Sequence, residues 1–308
     1  MRKGVVPVLR AILLIAFAFI LLYPLFFMLS NALKTRADVI NPSVKWLSRT
    51  PSFYSFEIAF RAMEYGKSFY NTFKFEIMSA VISTFSCSVY AYGLTRFKFK
   101  LKPFLIFMLV LIIFIPDIVM IIPRITNYRH MDLLGILGLF KKISGVDIRP
   151  NLIDTPFAFW LPSVFGVGLK GGLFIFIYMQ FFSGLPKELE EAAWIDGAGP
   201  VRTFVSVIIP SSSVVILTVF IFSVIWHWND WMLASMYTTN TRTLASMLYD
   251  IEYAVIRWSG ANAVQIDSKL EYGIPLAACI LFILPPLVMY LFLQKKFIRS
   301  IDRVGIVG

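Results

Sequence analysis

Residue types that perform enzyme chemistry are scarce in this chain, and they do not fall into a catalytic pattern. The sequence has two histidines, His130 and His227, and two cysteines, Cys87 and Cys279, both of which lie in apolar stretches. This set fits neither a metal site nor a disulfide framework. No phosphate-binding loop, His-Glu-x-x-His motif or nucleophile elbow occurs. We therefore predict a protein that is not an enzyme and holds no cofactor or metal of its own.

One short segment carries side chains suited to binding a sugar, and it reads Trp226-His227-Trp228-Asn229-Asp230-Trp231. Aromatic rings stack on the apolar faces of sugars, and amide or carboxylate groups bond sugar hydroxyls. Tryptophan also gathers at membrane interfaces without any ligand, so an interfacial or packing role stays open beside this one. The residues that could line a solute path are Trp226, Trp228, Asn229 and Asp230.

Two opposite charges, Asp117 and Lys170, lie at similar depths in two different apolar stretches. Either residue alone inside a bilayer costs ~2.5–3.5 kcal/mol on insertion scales. We therefore expect the two side chains to pair inside the protein, with a structural role favoured over direct contact of Asp117 with a solute. Asp117 is also the acid that an ion-coupled secondary transporter would use.

The composition points to a membrane protein. Of the 308 residues 58% are hydrophobic and 15% are charged, against roughly 25% charged in soluble domains. The net charge of +11 does not indicate nucleic-acid binding, because the basic residues lie in loops between apolar stretches. Six stretches approach the roughly 20 apolar residues that a bilayer-crossing helix needs. They are 5–29, 72–94, 103–123, 156–182, 211–235 and 273–293.

Charge in the short loops predicts the orientation of these six helices. The loop 95–103 carries four basic residues and no acid, and basic residues also occur near both chain ends. Since positive loops stay in the cytoplasm, both termini and the loop 183–210 are expected there. The first stretch is too long for a signal peptide and is taken as a retained helix. Within the chain, Pro116, Pro123 and the glycines of 166–172 are expected to kink or break the third and fourth helices.

The predicted loop 183–210 is the most distinctive part of the chain. Pro186 suits the first position of a helix, and Glu188, Glu190 and Glu191 suit its first turns. Leu189, Ala192 and Ala193 would form a small apolar face, Gly197 and Gly199 would end the helix, and Pro200 would begin another. This helix–turn–helix has a surface suited to a soluble protein partner. A connector helix that lies on the membrane is the alternative.

The same loop resembles the EAA loop by which permeases of bacterial ABC importers engage their ATPase. The residues that match the motif are Glu191, Ala192, Ala193, Gly197, Val207, Ile209 and Pro210, with Asp196, Ala198 and Phe204 matching the sugar-importer branch. The resemblance extends over about 68–293, and the length and span number resemble the shorter permease of maltose-type importers. The segment 139–151 departs from the family pattern.

This resemblance implies an all-α polytopic protein with the type I importer fold, in the bacterial cell membrane. It implies a domain layout of an N-terminal helix (1–30), an extracytoplasmic segment (31–67), the transporter domain (68–293) and a cytoplasmic tail (294–308). The implied partners are ABC ATPase subunits that bind ATP and Mg²⁺, a second homologous permease and an extracytoplasmic solute-binding protein. The implied cargo is a sugar or oligosaccharide, with a peptide or another small polar solute as the alternative.

Overall fold

The computed structural model describes residues 2–132, 135–262 and 272–305, with side chains over 6–132, 135–262 and 272–295. In these ranges the regular elements are helical, which confirms the predicted all-α class. The first helices are α1 (Arg2–Ala32), α2 (Arg36–Ile40), α3 (Tyr54–Ala62), α4 (Tyr65–Thr72), α5 (Met78–Arg96), α6 (Lys102–Phe114), α7 (Ile121–Arg129), α8 (Ile136–Ser144) and α9 (Phe157–Val164). The later helices are α10 (Gly171–Gly184), α11 (Glu188–Ile195), α12 (Pro200–Thr203), α13 (Ile209–Ser211), α14 (Ser213–Trp228), α15 (Met232–Tyr237), α16 (Leu244–Tyr249), α17 (Ile251–Ala261) and α18 (Gly273–Gly305).

Three helical segments are long and apolar enough to cross a bilayer: Val6–Ala32, Tyr65–Arg96 and Gly273–Lys295. The first, second and sixth predicted spans lie in these segments. Two bent pairs raise the number to five if each is one span: Lys102–Phe114 with Asp117–Arg129, and Pro200–Ser211 with Ser213–Trp228. The predicted tail 294–308 lies partly outside the described residues.

The third and fourth predicted spans are broken, as expected from their prolines and glycines. Helix α6 stops before Pro116, and the next helical segment leaves at an angle of 101°. Pro123, by contrast, lies in the first turn of α7 and breaks nothing, since a proline is tolerated there. The fourth predicted span, 156–182, is two helices, α9 and α10, which are separated by 165–170.

The fifth predicted span, 211–235, is shorter than expected. Helix α14 ends at Trp228, and 232–237 form the separate helix α15. The Asp230 carboxylate accepts the amide N–H of Leu233 at 3.0 Å, which satisfies a free donor at the start of α15. The chain therefore turns at the Trp-Asn-Asp segment rather than continuing as one helix.

The chain forms two compact units, and the first comprises Met1–Ser68 and Met247–Pro285. In this unit α3 packs against α17, with Ile58 and Ala254 among the buried residues. The Tyr65 hydroxyl donates to the Leu281 carbonyl at 3.0 Å. The surface of α1 is covered by exposed large apolar side chains, of which Leu21 is 74% exposed. Such a surface suits contact with lipid.

The second unit, Phe69–Ser246 with Pro286–Gly308, is centred on α5. Helices α9, α10 and α14 all pack against α5. The buried face of α5 is made mainly of small residues, namely Ser79, Ala80, Ser83, Thr84, Cys87, Ser88 and Ala91. Small residues allow helix backbones to approach closely in a membrane, where packing rather than the hydrophobic effect drives association. From α10, Phe174, Tyr178 and Phe182 fill the space beside this face and are fully buried.

The start of α10 leaves no room for side chains. A Cβ atom at Gly171 would overlap the Gly166 carbonyl oxygen, and one at Gly172 would lie 3.1 Å from the Ile113 side chain on α6. Gly166 itself has a φ of +70°, which glycine adopts without strain. The glycines therefore permit both the sharp chain reversal after α9 and the close approach of α6 and α10.

We predict that Gly171→Ala lowers the thermal stability of the detergent-solubilised protein, because overpacking a tight site typically costs about 1–3 kcal/mol. Gly184→Ala, at the other end of α10, is the matched control. A Cβ atom there meets no other atom within 4 Å, so the control should match or slightly exceed the wild type. Equal melting temperatures for the two variants would contradict the steric argument.

Candidate functional site

The helix predicted in the loop 183–210 is present as α11, Glu188–Ile195. It begins two residues later than expected, since Pro186 lies outside the helix and Lys187 is its N-cap. Glu188 and Glu191 are exposed in its first turns, where the N-terminal end of the helix dipole favours negative charge.

Helix α11 ends in a turn that requires glycine. Gly197 has a φ of +79°, and the Ala198 amide donates to the Ala193 carbonyl at 2.9 Å. This six-residue closure is a Schellman motif, in which a left-handed residue follows the C-cap. Asp196 occupies the C-cap and is exposed. The predicted Asp-Gly-Ala turn thus has a defined backbone reason for its glycine.

A second helical segment follows the turn. Gly199 is the N-cap of α12, and Pro200 is at its start, as predicted. A π-helical turn, Phe204–Ile208, and the short α13 then lead into α14. Pro210 is exposed in α13, whereas Phe204 is half-buried against the core of the second unit.

A buried ion pair fastens α11 to α5, and the sequence analysis did not anticipate it. Arg96 Nε lies 2.7 Å from Glu190 Oε1, and both side chains are less than 10% exposed. Arg96 Nη2 also donates to the Leu185 carbonyl at 2.9 Å, where α10 ends. One guanidinium therefore joins α5, the end of α10 and the start of α11. Glu190 is therefore enclosed inside the chain, whereas Glu188 and Glu191 on the same helix are exposed.

An aromatic contact fastens the other half of the loop to the same helix. The ring of Tyr92, one turn before Arg96 on α5, lies 4.9 Å from the Phe204 ring. Tyr92 also meets Phe182 of α10 edge-on at 6.3 Å between centroids. Consequently the last turn of α5 contacts both α11 and the π-helical turn after α12, and the two halves of the loop share one support.

Large apolar side chains on the loop remain exposed. Leu189, Trp194, Ile195 and Val201 are exposed by 40%, 48%, 86% and 78%. Ala192 is also exposed and Ala193 is half-buried. Exposed apolar surface beside charged residues is typical of a site that another protein or a membrane covers.

The predicted pair of Asp117 and Lys170 is confirmed. Lys170 Nζ donates to Asp117 Oδ2 at 3.1 Å. Lys170 has a φ of +57°, an unusual backbone conformation for a lysine, as the N-cap of α10. Arg124, which the sequence analysis missed, lies 3.7 Å from the other Asp117 oxygen. One carboxylate therefore holds two cations from two other helical segments.

These three charged residues line a cavity of about 270 Å³ in the second unit. Trp226 also lines it, and that ring packs against Phe174 at 5.7 Å. The remaining wall is largely aliphatic, from α6 and the glycine-rich start of α10. An aromatic face beside fixed charged groups can stack on a sugar ring and hydrogen-bond its hydroxyls.

The other members of the tryptophan segment lie elsewhere. Trp228 is 4% exposed and packs edge-on against Phe69 at 6.2 Å. The Asn229 amide is exposed and donates to the Ile225 carbonyl at 2.7 Å. The Asp230 carboxylate accepts a backbone N–H in the first turn of α15 and borders a second, smaller cavity of about 30 Å³. Of the four path candidates in this segment, Trp226 therefore shares the larger cavity with Asp117.

Glu76 is another acid within a predicted span, in addition to Asp117 and Asp230. It is 1% exposed in the π-helical turn that precedes α5, and it borders the small cavity together with Asp230 and His227. The sequence analysis named Asp117 as the acid suited to ion coupling and overlooked Glu76. An ionisable residue within a predicted span was the signal that could have identified it.

The chain is similar to permeases of several bacterial importers. The melibiose/raffinose/stachyose import permease protein MelC of Bacillus subtilis (strain 168) is 28% identical over 287 residues, which are 92% of this chain and 91% of that protein. The diacetylchitobiose uptake system permease protein NgcG of Streptomyces coelicolor is 24% identical, over 94% of this chain and 86% of that protein. The sn-glycerol-3-phosphate transport system permease protein UgpE of Yersinia pestis is 27% identical, over 68% and 63%.

The fold is also that of a solved transporter. A chain in the crystal structure of a bacterial ABC transporter involved in the import of the acidic polysaccharide alginate superposes with a TM-score of 0.70 and 19% identity, over 96% of this chain and 98% of that chain. Residues 87–303, well over half of the chain, match the family of binding-protein-dependent transport system inner membrane components. The chain belongs to this family and is a membrane permease component of a binding-protein-dependent transporter.

Proposed function

We propose that this chain is the shorter permease subunit of an ATP-driven ABC importer for a sugar or oligosaccharide. The observation that carries the proposal is the loop 183–210, in which an exposed apolar and acidic surface on α11 is fastened to the core helix α5 by the Arg96–Glu190 pair. A loop built in this way suits a partner that pushes on the permease. The partner we propose is an ATPase subunit, which binds ATP and Mg²⁺.

The contacts of α5 suggest how motion would pass from the ATPase to the membrane. A displacement of α11 moves Arg96, because the ion pair is enclosed and short. Helix α5 packs in turn against α9, α10 and α14. The Ser223 hydroxyl of α14 donates to the Ala80 carbonyl of α5 at 3.2 Å. The cavity beside Asp117, Lys170 and Trp226 is lined by α6 and α10, and α10 would follow α5.

The proposed transporter also contains a second permease and a solute-binding protein. One loop of this kind engages one ATPase, so a second, homologous permease would engage the other and complete the pathway. A solute-binding protein would deliver the solute on the outer side. The bacterial cell membrane would hold the chain with both termini and the loop 183–210 in the cytoplasm, as the basic short loops indicate.

A sugar is the preferred cargo because relatives similar over nine-tenths of the chain include permeases named for melibiose and for diacetylchitobiose. Trp226 gives the larger cavity an aromatic face, which is suited to a polyol with an apolar side. The second candidate is another small polar solute such as a phosphorylated polyol, which the similarity to sn-glycerol-3-phosphate permeases favours. The ligand of a solute-binding protein recovered with the complex would decide between them.

The first test is purification of the tagged chain from mild detergent, wild type beside Glu191→Ala and Gly197→Asp. We expect the wild type to recover an ATPase and a second permease. Glu191→Ala removes an exposed charge of α11, and Gly197→Asp strains the left-handed turn. Both changes should reduce ATPase recovery at least about tenfold, since 1.4 kcal/mol of lost binding has that effect.

Glu57→Ala and Gly260→Asp are the matched controls for this test. Glu57 is an exposed acid on α3, and a Cβ atom at Gly260 meets nothing within 4 Å. Both controls should retain the ATPase. Recovery of the tagged chain alone, or an ATPase indifferent to the loop changes, would contradict the proposed docking site and favour an ion-coupled transporter.

A separate prediction concerns the Arg96–Glu190 pair, which we expect to hold α11 in place. Arg96→Gln leaves a buried carboxylate without its cation, and breaking such a pair typically costs about 3–5 kcal/mol. Helix α11 should then detach, and trypsin should cleave faster after the exposed Lys187 in the detergent-solubilised protein. Adding Glu190→Gln should slow the cleavage again, because two neutral amides can bond each other in the same space.

Arg61→Gln is the control for the Arg96 variant, since its partner Glu57 and Arg61 are both more than half exposed. Exposed ion pairs contribute about 0–1 kcal/mol, so cleavage after Lys187 should not change. If Arg96→Gln and Arg61→Gln were cleaved at the same rate as the wild type, α11 would not depend on the buried pair.

Substitutions at Asp117 and Lys170 test whether the charged cluster that these residues form with Arg124 is structural. Asp117→Asn leaves two cations, Lys170 and Arg124, without their shared anion, so the melting temperature and solute uptake in proteoliposomes should both fall. Adding Lys170→Leu removes one of these cations and should restore both measurements. A double variant that regains stability but not uptake would instead place Asp117 or Lys170 in contact with the solute.

A further inference from the structure

Helix α8, Ile136–Ser144, overlaps the segment 139–151 that departs from the family pattern, and both of its ends are fixed. The Asp132 carboxylate accepts the amide N–H groups of Leu137 and Gly138 at 2.9 and 2.8 Å. A Cβ atom at Gly138 would overlap that carboxylate. At the other end Gly145, with a φ of +74°, donates to the Lys141 carbonyl at 2.8 Å. The helix is therefore held in a defined conformation.

The two faces of α8 differ in what covers them. Leu137 and Gly138, beside Asp132, are partly buried. On the opposite side the helical spacing brings together four apolar side chains. Ile136, Leu139, Phe140 and Ile143 are exposed by 63%, 58%, 46% and 78%. The apolar face of α8 thus points away from the part of the chain that caps it.

A nine-residue helix does not persist in water by itself, because isolated helices shorter than about 12–15 residues are marginal. Capping by Asp132 and Gly145 contributes to its stability, but four large apolar side chains remain in contact with water. A surface that covers the face would supply the missing stabilisation, at about 25 cal/mol for each Å² removed from water.

Positive charge borders this apolar face. Helix α8 contains no acid and has Lys141 and Lys142 in its last turn. Arg149 and Lys141 both bind Asp147, each at 2.8 Å. Hydrogen bonds from Arg149 and Lys141 hold the pKa of Asp147 well below its usual range. Asp147 stays ionised at neutral pH, so the segment 139–151 has three cations and one anion, a net charge of +2.

The composition of the apolar face of α8 indicates whether a protein or a membrane covers it. Protein interfaces are enriched in Trp, Tyr and Arg and depleted in lysine. Helix α8 has no Trp, Tyr or Arg, and its face has three aliphatic residues and one phenylalanine at the centre, with two lysines at the margins. Apolar residues on one side and lysines on the other are typical of a helix that lies in a membrane interface. The lysine stems can reach the headgroups while the apolar face enters the acyl region.

We propose that α8 is an interfacial anchor, which inserts Ile136, Leu139, Phe140 and Ile143 into the lipid and places Lys141 and Lys142 at anionic phospholipid headgroups. The anchor holds the segment between α7 and α9 against the membrane surface. It goes beyond the proposed importer function and depends on neither the cargo nor the ATPase. It also gives the segment 139–151 a physical role.

The test uses the complete transporter in nanodiscs of phosphatidylcholine mixed with phosphatidylglycerol. Ile143→Cys or the adjacent Lys142→Cys is introduced into a background that carries Cys87→Ala and Cys279→Ser, and the new thiol receives a nitroxide spin label. At position 143 the label should collide more often with oxygen, which concentrates in lipid, than with a water-soluble nickel chelate. At position 142, on the other side of the helix, the label should collide more often with the nickel chelate than with oxygen.

The lipid charge provides a second measurement on the same labelled protein. In phosphatidylcholine alone, or with Lys141→Gln added, the label at position 143 should become more accessible to the nickel chelate. Equal nickel accessibility at positions 142 and 143 in both lipids would overturn the proposal. A label at position 143 that is open to nickel until a solute-binding protein is added would also overturn it, and would assign the face to that protein.

Discussion

The buried contact between Arg96 and Glu190 is the interaction on which the loop 183–210 depends. Two charges that leave water lose several kcal/mol of solvation each, and their attraction offsets this loss only when the geometry is close and other hydrogen bonds are made. Here the two charged groups are 2.7 Å apart, and Arg96 Nη2 donates to the Leu185 carbonyl. Such a pair is stable in one arrangement and costly in any other. The position of α11 is thereby linked to that of α5.

Helix α5 can serve as this support because its other contacts are close. Its buried face is formed from serine, alanine, threonine and cysteine, and the aromatic column of Phe174, Tyr178 and Phe182 from α10 fills the space beside it. In a membrane, tight packing of this kind is the main source of helix association. A shift of α5 would therefore displace α10, whose glycine-rich start borders the cavity that Asp117 and Lys170 line.

The features that the sequence predicted are those with local causes. The helix after Pro186, which begins two residues later than predicted, the turn at Gly197 and the break at Pro116 each follow from residue types at or beside their own positions. The pairing of Asp117 with Lys170 followed from the cost of two isolated charges at the same depth. Arg96 and Glu190 are far apart in the chain, and a loop arginine is usually solvated, so nothing local indicated their burial. The same limit applies to Arg124 and to the packing of Trp228 against Phe69.

The broken helices explain why charged groups can be retained at membrane depth. The reversal after α9 places Lys170, in a left-handed conformation, at the start of α10, and the bend at Pro116 brings Asp117 to meet it. Irregular backbone of this kind is tolerated in a membrane where it lines a cavity or is covered by protein. Straight helices would have buried these positions between aliphatic side chains, where neither charge is stable. The breaks and the charged cluster are therefore one structural feature, since each provides the condition under which the other is stable.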